Sequence, residues 1–318
     1  MRSPAPLNES SVNLPGINLG LYVATVLFWG TTWIAMKYQV GPVAPELSVA
    51  YRFTIAASVV ILWALAARQR LRFPLRAHLL LAAMGLCMFS FNFYFFYQAA
   101  AFVTSGLLAV IFSMTVVLNI VNGRILLGRR AAPRTLAGAV LGVAGILMLF
   151  WPEVRGFDLG GIGADEGGLG LLLALAGTFC FSLGNIASAR AQMQGLPVLS
   201  CNAWGMAYGA VIMYALALLG GAPFVFDTRV TYVSGLLYLA ICGSVLAFGA
   251  YLTLLGRIGA DRAAYATVLF PLVALAISTV VEDYHWTPLA ITGVALVLAG
   301  NLLVLLRPPA PAPRAAGD

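Results

Sequence analysis

Ten apolar stretches, each near twenty residues long, restrict this chain to very few folds. They run over 18–38, 46–67, 77–98, 102–123, 134–151, 168–190, 198–220, 232–255, 262–281 and 287–306. About 20 helical residues, rising about 1.5 Å each, cross the roughly 30 Å hydrocarbon layer of a bilayer. Within that layer every backbone N–H and C=O must find its partner inside the protein. Only 9% of the residues are charged, against about 25% in soluble domains, so little chain remains for a water-soluble unit. The expected fold class is all-α integral membrane.

The stretches are also duplicated. Residues 101–149 read as an apolar span, a polar turn holding Pro133, and a second span; residues 256–304 repeat that outline 155 positions later. Pro133 falls on Pro288, Gly138 on Gly293, Gly145 on Gly300 and, upstream, Cys87 on Cys242. A repeat this long is no solenoid unit. It divides the chain into two five-helix halves, 18–151 and 168–306, joined by an extracytoplasmic linker, 152–167. Residues 1–17 are expected to form a cytoplasmic amino-terminal segment and 307–318 a disordered cytoplasmic tail. An odd number of spans per half sends the second half into the membrane from the opposite side. The expectation is ten transmembrane helices in a 5+5 inverted repeat, with a central cavity near the midplane where the halves meet.

Charge placement gives the orientation. Fourteen of the eighteen Lys and Arg residues fall on the side that holds both termini, including Arg68, Arg70, Arg72, Arg76, Arg124, Arg129, Arg130 and Arg190. The other side has Lys37, Arg155 and Arg229, with Arg52 inside a span. Basic loops stay cytoplasmic, so both termini are expected there. The same dispersal excludes a nucleic-acid partner despite a net charge of +7, because such a surface gathers on one folded domain. The turn after the fourth span is basic, whereas its equivalent after the ninth carries Glu282 and Asp283. One unit has been adapted to two sides.

Nothing in the sequence supplies catalytic chemistry. Cys87, Cys180, Cys201 and Cys242 all lie in spans and read as small core residues, with no Cys-x-x-Cys pair. The two histidines, His78 and His285, fall at opposite membrane surfaces, so no metal site is expected. The glycines of the linker match no dinucleotide or phosphate-binding pattern, and no cofactor is expected. An integral membrane enzyme, the alternative from another functional class, would need a nucleophile with its base, a metal cluster or a mid-membrane acid pair; none is present.

The polar and aromatic residues inside the spans are the candidates for binding. Gly30, Trp33 and Lys37 share one helix face; Lys37, at the outer end, either snorkels to the interface or reaches a ligand. Arg52, two turns into the second span, is expected to pair with Glu46 or to hold a loop carbonyl in preference to contacting substrate. The third span packs seven aromatics into residues 89–98. There Phe89, Asn92 and Phe96 are expected on one face, and the amide of Asn92 either bonds a neighbouring helix or lines a cavity. The equivalents in the second half, Ser244, Ala247 and Tyr251, keep the polar-aromatic mixture, which favours a cavity. Thr115 and Asn119 extend a stripe with Phe112 and Asn122 along the fourth span, and Asn185 accompanies Ser182 in the sixth. Pro271 interrupts the ninth span, as suits a gating bend. Gly138 and Gly142 permit close helix packing, within one chain or in a dimer; a monomer or homodimer is expected.

Order, spacing and duplication together resemble the drug/metabolite transporter superfamily, EamA-type, across almost the whole chain. The likeness rests on Trp29-Gly30 with Lys37, on Tyr51-Arg52-Phe53, and on the fourth-to-fifth span segment with Gly138 and Gly145. It rests equally on the repeat of that segment, with Pro271, Gly293 and Gly300. The chain departs from the family at Val116, where proline is usual, and at Gly128-Arg129, where Gly-Glu is usual. The resemblance implies ten helices around a central cavity in a bacterial inner membrane, exporting amino acids or other small metabolites. Rings and amides in that cavity bring it nearest to exporters of aromatic and neutral amino acids. Drugs or other metabolites on the same fold remain the alternative; phosphate esters would call for more interior cations than Lys37 and Arg52. With no carboxylate in mid-span, export without an obligatory ion is expected.

Overall fold

The computed structural model describes residues 15–127, 133–151, 166–258 and 266–305, and every regular element among them is helical. In chain order these are α1 (Pro15–Lys37), α2 (Pro45–Ala66), α3 (Leu75–Leu86), α4 (Asn92–Ala99), α5 (Ser105–Ser113), α6 (Thr115–Leu127) and α7 (Pro133–Leu149). There follow α8 (Glu166–Met193), α9 (Val198–Leu219), α10 (Val230–Tyr238), α11 (Ala247–Ile258), α12 (Ala266–Val281) and α13 (Pro288–Leu305). Most of the expected amino-terminal segment, the turn with Arg129 and Arg130, most of the linker, Arg262 and the tail lie outside the described residues.

Seven stretches are long and apolar enough to cross a membrane: Gly16–Lys37, Pro45–Ala66, Leu75–Ala99, Ser105–Leu126, Gly167–Met193, Val198–Leu219 and Val230–Tyr251. Three shorter apolar helices, Leu136–Leu149, Leu269–Val281 and Pro288–Leu303, accompany them. Side chains such as Leu62, Leu79, Val140, Val211 and Leu237 point outward and exposed, while Phe53, Phe89, Phe96 and Phe270 are fully buried. An apolar exterior around an apolar core is what a lipid solvent requires. Helices α2, α7 and α13 each begin at a proline, whose missing N–H is no loss in a first turn. After α8 and α9 the chain turns through Gly195 and Gly221 at φ of 79° and 68°, a conformation that glycine adopts without strain.

Two helices are interrupted at equivalent places. Cys87–Phe91 joins α3 to α4, and Leu239–Leu246 joins α10 to α11, both as π-helical stretches. The Asn92 N–H donates to the Cys87 carbonyl and the Ala247 N–H to the Cys242 carbonyl, five residues back in each case. Serine hydroxyls also reach back across these wide turns, Ser90 Oγ to the Gly85 carbonyl at 2.8 Å and Ser244 Oγ to the Leu239 carbonyl at 3.0 Å.

Packing follows the same correspondence. Helix α7 lies along α13, α2 along α9, and α5 along α12. Helix α1 packs on α11 and α12, as α8 packs on α4 and α6. The α7–α13 seam is the tightest. A Cβ on Gly145 would stand 2.5 Å from the Gly293 carbonyl, and one on Gly300 would stand 2.5 Å from the Gly138 carbonyl. The contact is reciprocal: Gly145 meets the equivalent of Gly138, and Gly138 meets the equivalent of Gly145. Gly142 faces Met114, so all these glycines serve packing within the chain.

Candidate functional site

Rings from α1, α4, α5, α8 and α12 converge in the interior. Trp33 lies edge-on to Phe96 at 5.1 Å, tilted against Phe112 at 5.4 Å, and parallel to Phe270 at 6.4 Å. Phe181 closes on Phe112 at 4.6 Å. One turn away on α1, Trp29 contacts Tyr251 at 5.0 Å, Phe248 at 5.5 Å and Phe270 at 6.3 Å. Such tilted and edge-on pairs each contribute about 0.5–1.5 kcal/mol beyond area burial. The cluster offers planar, polarisable surfaces and few hydrogen bonds. Pro271 follows Phe270 within α12.

Phe89 and Phe96 do not share a face. Phe89 is turned toward Phe53 at 5.3 Å, Phe248 at 6.0 Å and the backbones of Gly205 and Gly209. Phe96 is turned toward Trp33 and Gly177. The π-helical stretch between them widens the turn, which rotates later residues away from α-helical spacing. Asn92, 1% exposed, donates from Nδ2 to the Met88 carbonyl of its own helix at 3.2 Å, and its Oδ1 is buried without a partner.

The stripe on α6 meets α8. Asn185 Nδ2 donates to Asn119 Oδ1 at 3.3 Å, and Asn122 Nδ2 donates to Ser182 Oγ at 2.9 Å. These amides bridge two helices, while the Thr115 hydroxyl nearer the rings is buried without a partner.

Lys37 belongs to a latch. Its Nζ donates to the Ala100 carbonyl at 2.8 Å and stands 3.5 Å from Glu282 Oε1. Glu282 also accepts the Ser105 N–H at 2.9 Å and the Ser105 hydroxyl. It thereby satisfies the start of α5, which has no side-chain cap of its own. At the same end Gln39 Nε2 donates to the Tyr232 carbonyl at 2.8 Å, and the Ser48 and Tyr232 hydroxyls are 2.9 Å apart. Polar contacts between α1, α2 and α5 on one side and α10 and the end of α12 on the other gather here. Beside it, outside the helices, Asp227 lies 2.6 Å from Arg229, whose hydrogen bonds hold the carboxyl below the usual carboxylate range.

Two cavities of about 230 Å³ each flank the interior. One, under the α1–α2 connection, is lined by Gln39, Val43, Tyr97 and Phe102. The other opens between α2, α9 and α11 and is lined by Trp63, Asn202, Ser244, Phe248 and Gly249. Arg52, 3% exposed, lies beside Ser244 of the second cavity. Its Nε donates to Ser244 Oγ at 3.2 Å, and its guanidinium covers Phe93 at 4.3 Å and Phe53 at 5.3 Å. The expected pairing with Glu46 or a loop carbonyl is not made. Among the described residues the ion pairs are Lys37–Glu282 and Arg229–Asp227, and Arg52 has no carboxylate. The sequence signalled Trp33, Phe96, Phe112 and Tyr251, and Trp29 through the resemblance; Phe181 was hidden among equally apolar neighbours.

Among the described residues no three His, Cys, Asp or Glu side chains could together hold a metal. A protein of Escherichia coli (strain K12) described as a probable amino-acid metabolite efflux pump is 26% identical over 288 residues, covering 88% of this chain and 92% of its own length. A Salmonella typhimurium (strain LT2) protein of the same description is 27% identical, with the same shares covered. A solved crystal structure, 22% identical and covering 91% of this chain and 96% of its own, superposes with a TM-score of 0.62, which shows a common fold. Residues 16–151 and 168–306 each match the EamA-like transporter family. With apolar helices fit to cross a bilayer several times and a family match over both segments, the chain belongs to the EamA-like transporter family and is a multi-pass membrane transporter.

Proposed function

We propose that this transporter exports amino acids, aromatic and other neutral ones foremost, across a bacterial inner membrane by alternating access. The ring cluster carries the reading: Trp33, Phe96 and Phe112 come from one matched segment, Phe181 and Phe270 from the other. A planar side chain can replace ring–ring contacts there, at an energy small enough to be reversed on release. The relatives described as amino-acid metabolite efflux pumps support the same substrate class.

Ten helices in a 5+5 inverted repeat, 18–151 and 168–306, are the architecture we propose for this. Reciprocal glycine contacts and paired π-helical turns support it. With both termini in the cytoplasm, as the basic loops favour, the latch of Lys37 and Glu282 faces outward and shut. The cavity beside Trp63 and Asn202 then faces the cytoplasm. Substrate enters beside Ser244 and Phe248, displaces the rings around Trp33, and leaves when the latch parts. Asn92 Oδ1 and the Thr115 hydroxyl, both without partners, offer it polar contacts.

The test is uptake of radiolabelled phenylalanine or tryptophan by liposomes containing the purified protein. Saturable uptake, competed by excess unlabelled amino acid, is expected. Uptake no greater than that of empty liposomes would sink the amino-acid reading and turn the search to other metabolites.

A further inference from the structure

We infer that Arg52, with Ser244 and Tyr97, binds the carboxylate of the transported molecule. This rests on the reading of the chain as an amino-acid transporter and assigns the charged end of its substrate.

A buried guanidinium without a counter-ion is expensive, and inside a membrane protein it faces a pathway or a partner. Arg52 has no partner of opposite charge among the described residues. A guanidinium has five N–H donors in a fixed fork, and the hydrogen bond to Ser244 uses only the one on Nε. The edge bearing both Nη groups is the one that grips a carboxylate through two parallel bonds. Phe93, 4.3 Å beneath, holds the plane of the fork. Tyr97, 2% exposed, lies with its hydroxyl against the guanidinium.

Position strengthens the assignment. Ser244 lines one cavity and Tyr97 lines the other, so the cation is held by residues of both. Rings lead away from it toward the cluster: Phe53 to Phe89 at 5.3 Å, Phe89 to Phe248 at 6.0 Å, Phe248 to Trp29 at 5.5 Å. A carboxylate at Arg52 with an apolar side chain along those rings is the shape of an aromatic amino acid.

The experiment is thermal stabilisation of the purified full chain by four compounds: phenylalanine, phenylacetate, phenylalaninamide and phenylethylamine. The two carboxylates are expected to stabilise it and the other two are not. Arg52→Gln should raise the half-maximal carboxylate concentration about tenfold or more, with Arg52→Lys intermediate. Should Arg52→Gln fail to fold, Tyr97→Phe and Ser244→Ala retain the charge and should raise it severalfold. A flat response to both carboxylates, an equal response to the amide, or an unchanged carboxylate response in the variants overturns the assignment. Stabilisation by phenylacetate but not phenylalanine would retain the carboxylate site and reject the amino-acid reading. Phenylalanine uptake competed equally by phenylalaninamide would do the reverse.

Discussion

In the proposed cycle Trp33 yields before anything as large as a side chain passes. It touches three other rings, and losing contacts of about 0.5–1.5 kcal/mol each should weaken a stacked substrate about tenfold or more. Trp33→Ala is therefore expected to raise the KM for phenylalanine uptake, and Trp33→Phe to raise it less. The latch gives a second expectation. Glu282→Gln removes the charge that holds both Lys37 and the start of α5, so cysteines placed near that end should label faster from outside. Exchanging the charges, Lys37→Glu with Glu282→Lys, should restore part of the closure; labelling as fast as in the single variant would contradict a latch. Asp227 behaves differently. Because Arg229 lowers its pKa, its contribution is complete above the usual carboxylate range and is lost only as pH falls below about 4. Asp227→Asn should leave the pH profile of uptake between about 5 and 8 unchanged. Sequence put Lys37 and Glu282 on the same side of the membrane, yet their pairing depends on how α1, α5 and α12 come together, which no local pattern records.

At the level of elements, the glycine seam makes the strongest demand. Gly145→Val and Gly300→Val would each drive a side chain into a carbonyl already at 2.5 Å from an added Cβ, at a cost of about 1–3 kcal/mol or more. Both should lower the unfolding temperature in detergent, whereas Gly16→Val, with open space around it, should not. These glycines were legible because they recur at one offset in both matched segments. The π-helical stretches were legible only as a correspondence: Cys87 and Cys242 aligned, but nothing in their composition announced a widened turn. An α-helical spacing therefore placed Phe89 beside Phe96, and one wide turn was enough to separate them. The amides of α6 were legible as a polar stripe. That Asn119 and Asn185 would satisfy each other was not, since sequence gives a helix face and not its neighbour.

For the whole molecule, the scarcity of interior carboxylates has a measurable consequence. Among the described residues Glu46 lies in the first turn of α2 and Glu282 just beyond α12, engaged by Lys37 and Ser105. Uptake driven by the amino-acid gradient should proceed at the same rate, within about twofold, with or without a pH difference across the liposome membrane. A steep dependence would show proton coupling. The helical, membrane-spanning character of the chain was readable at this scale because a bilayer leaves backbone polar groups so few solutions.

The contact of α7 with α13 has one more implication. Where backbones meet through glycine, no long side chains stand between them to bend and absorb a shift. Such a joint can pivot but cannot slip. In the alternating-access cycle proposed above, α7 and α13 then act as the axle and set a fixed line of rotation. Displacement in that cycle then grows with distance from that line.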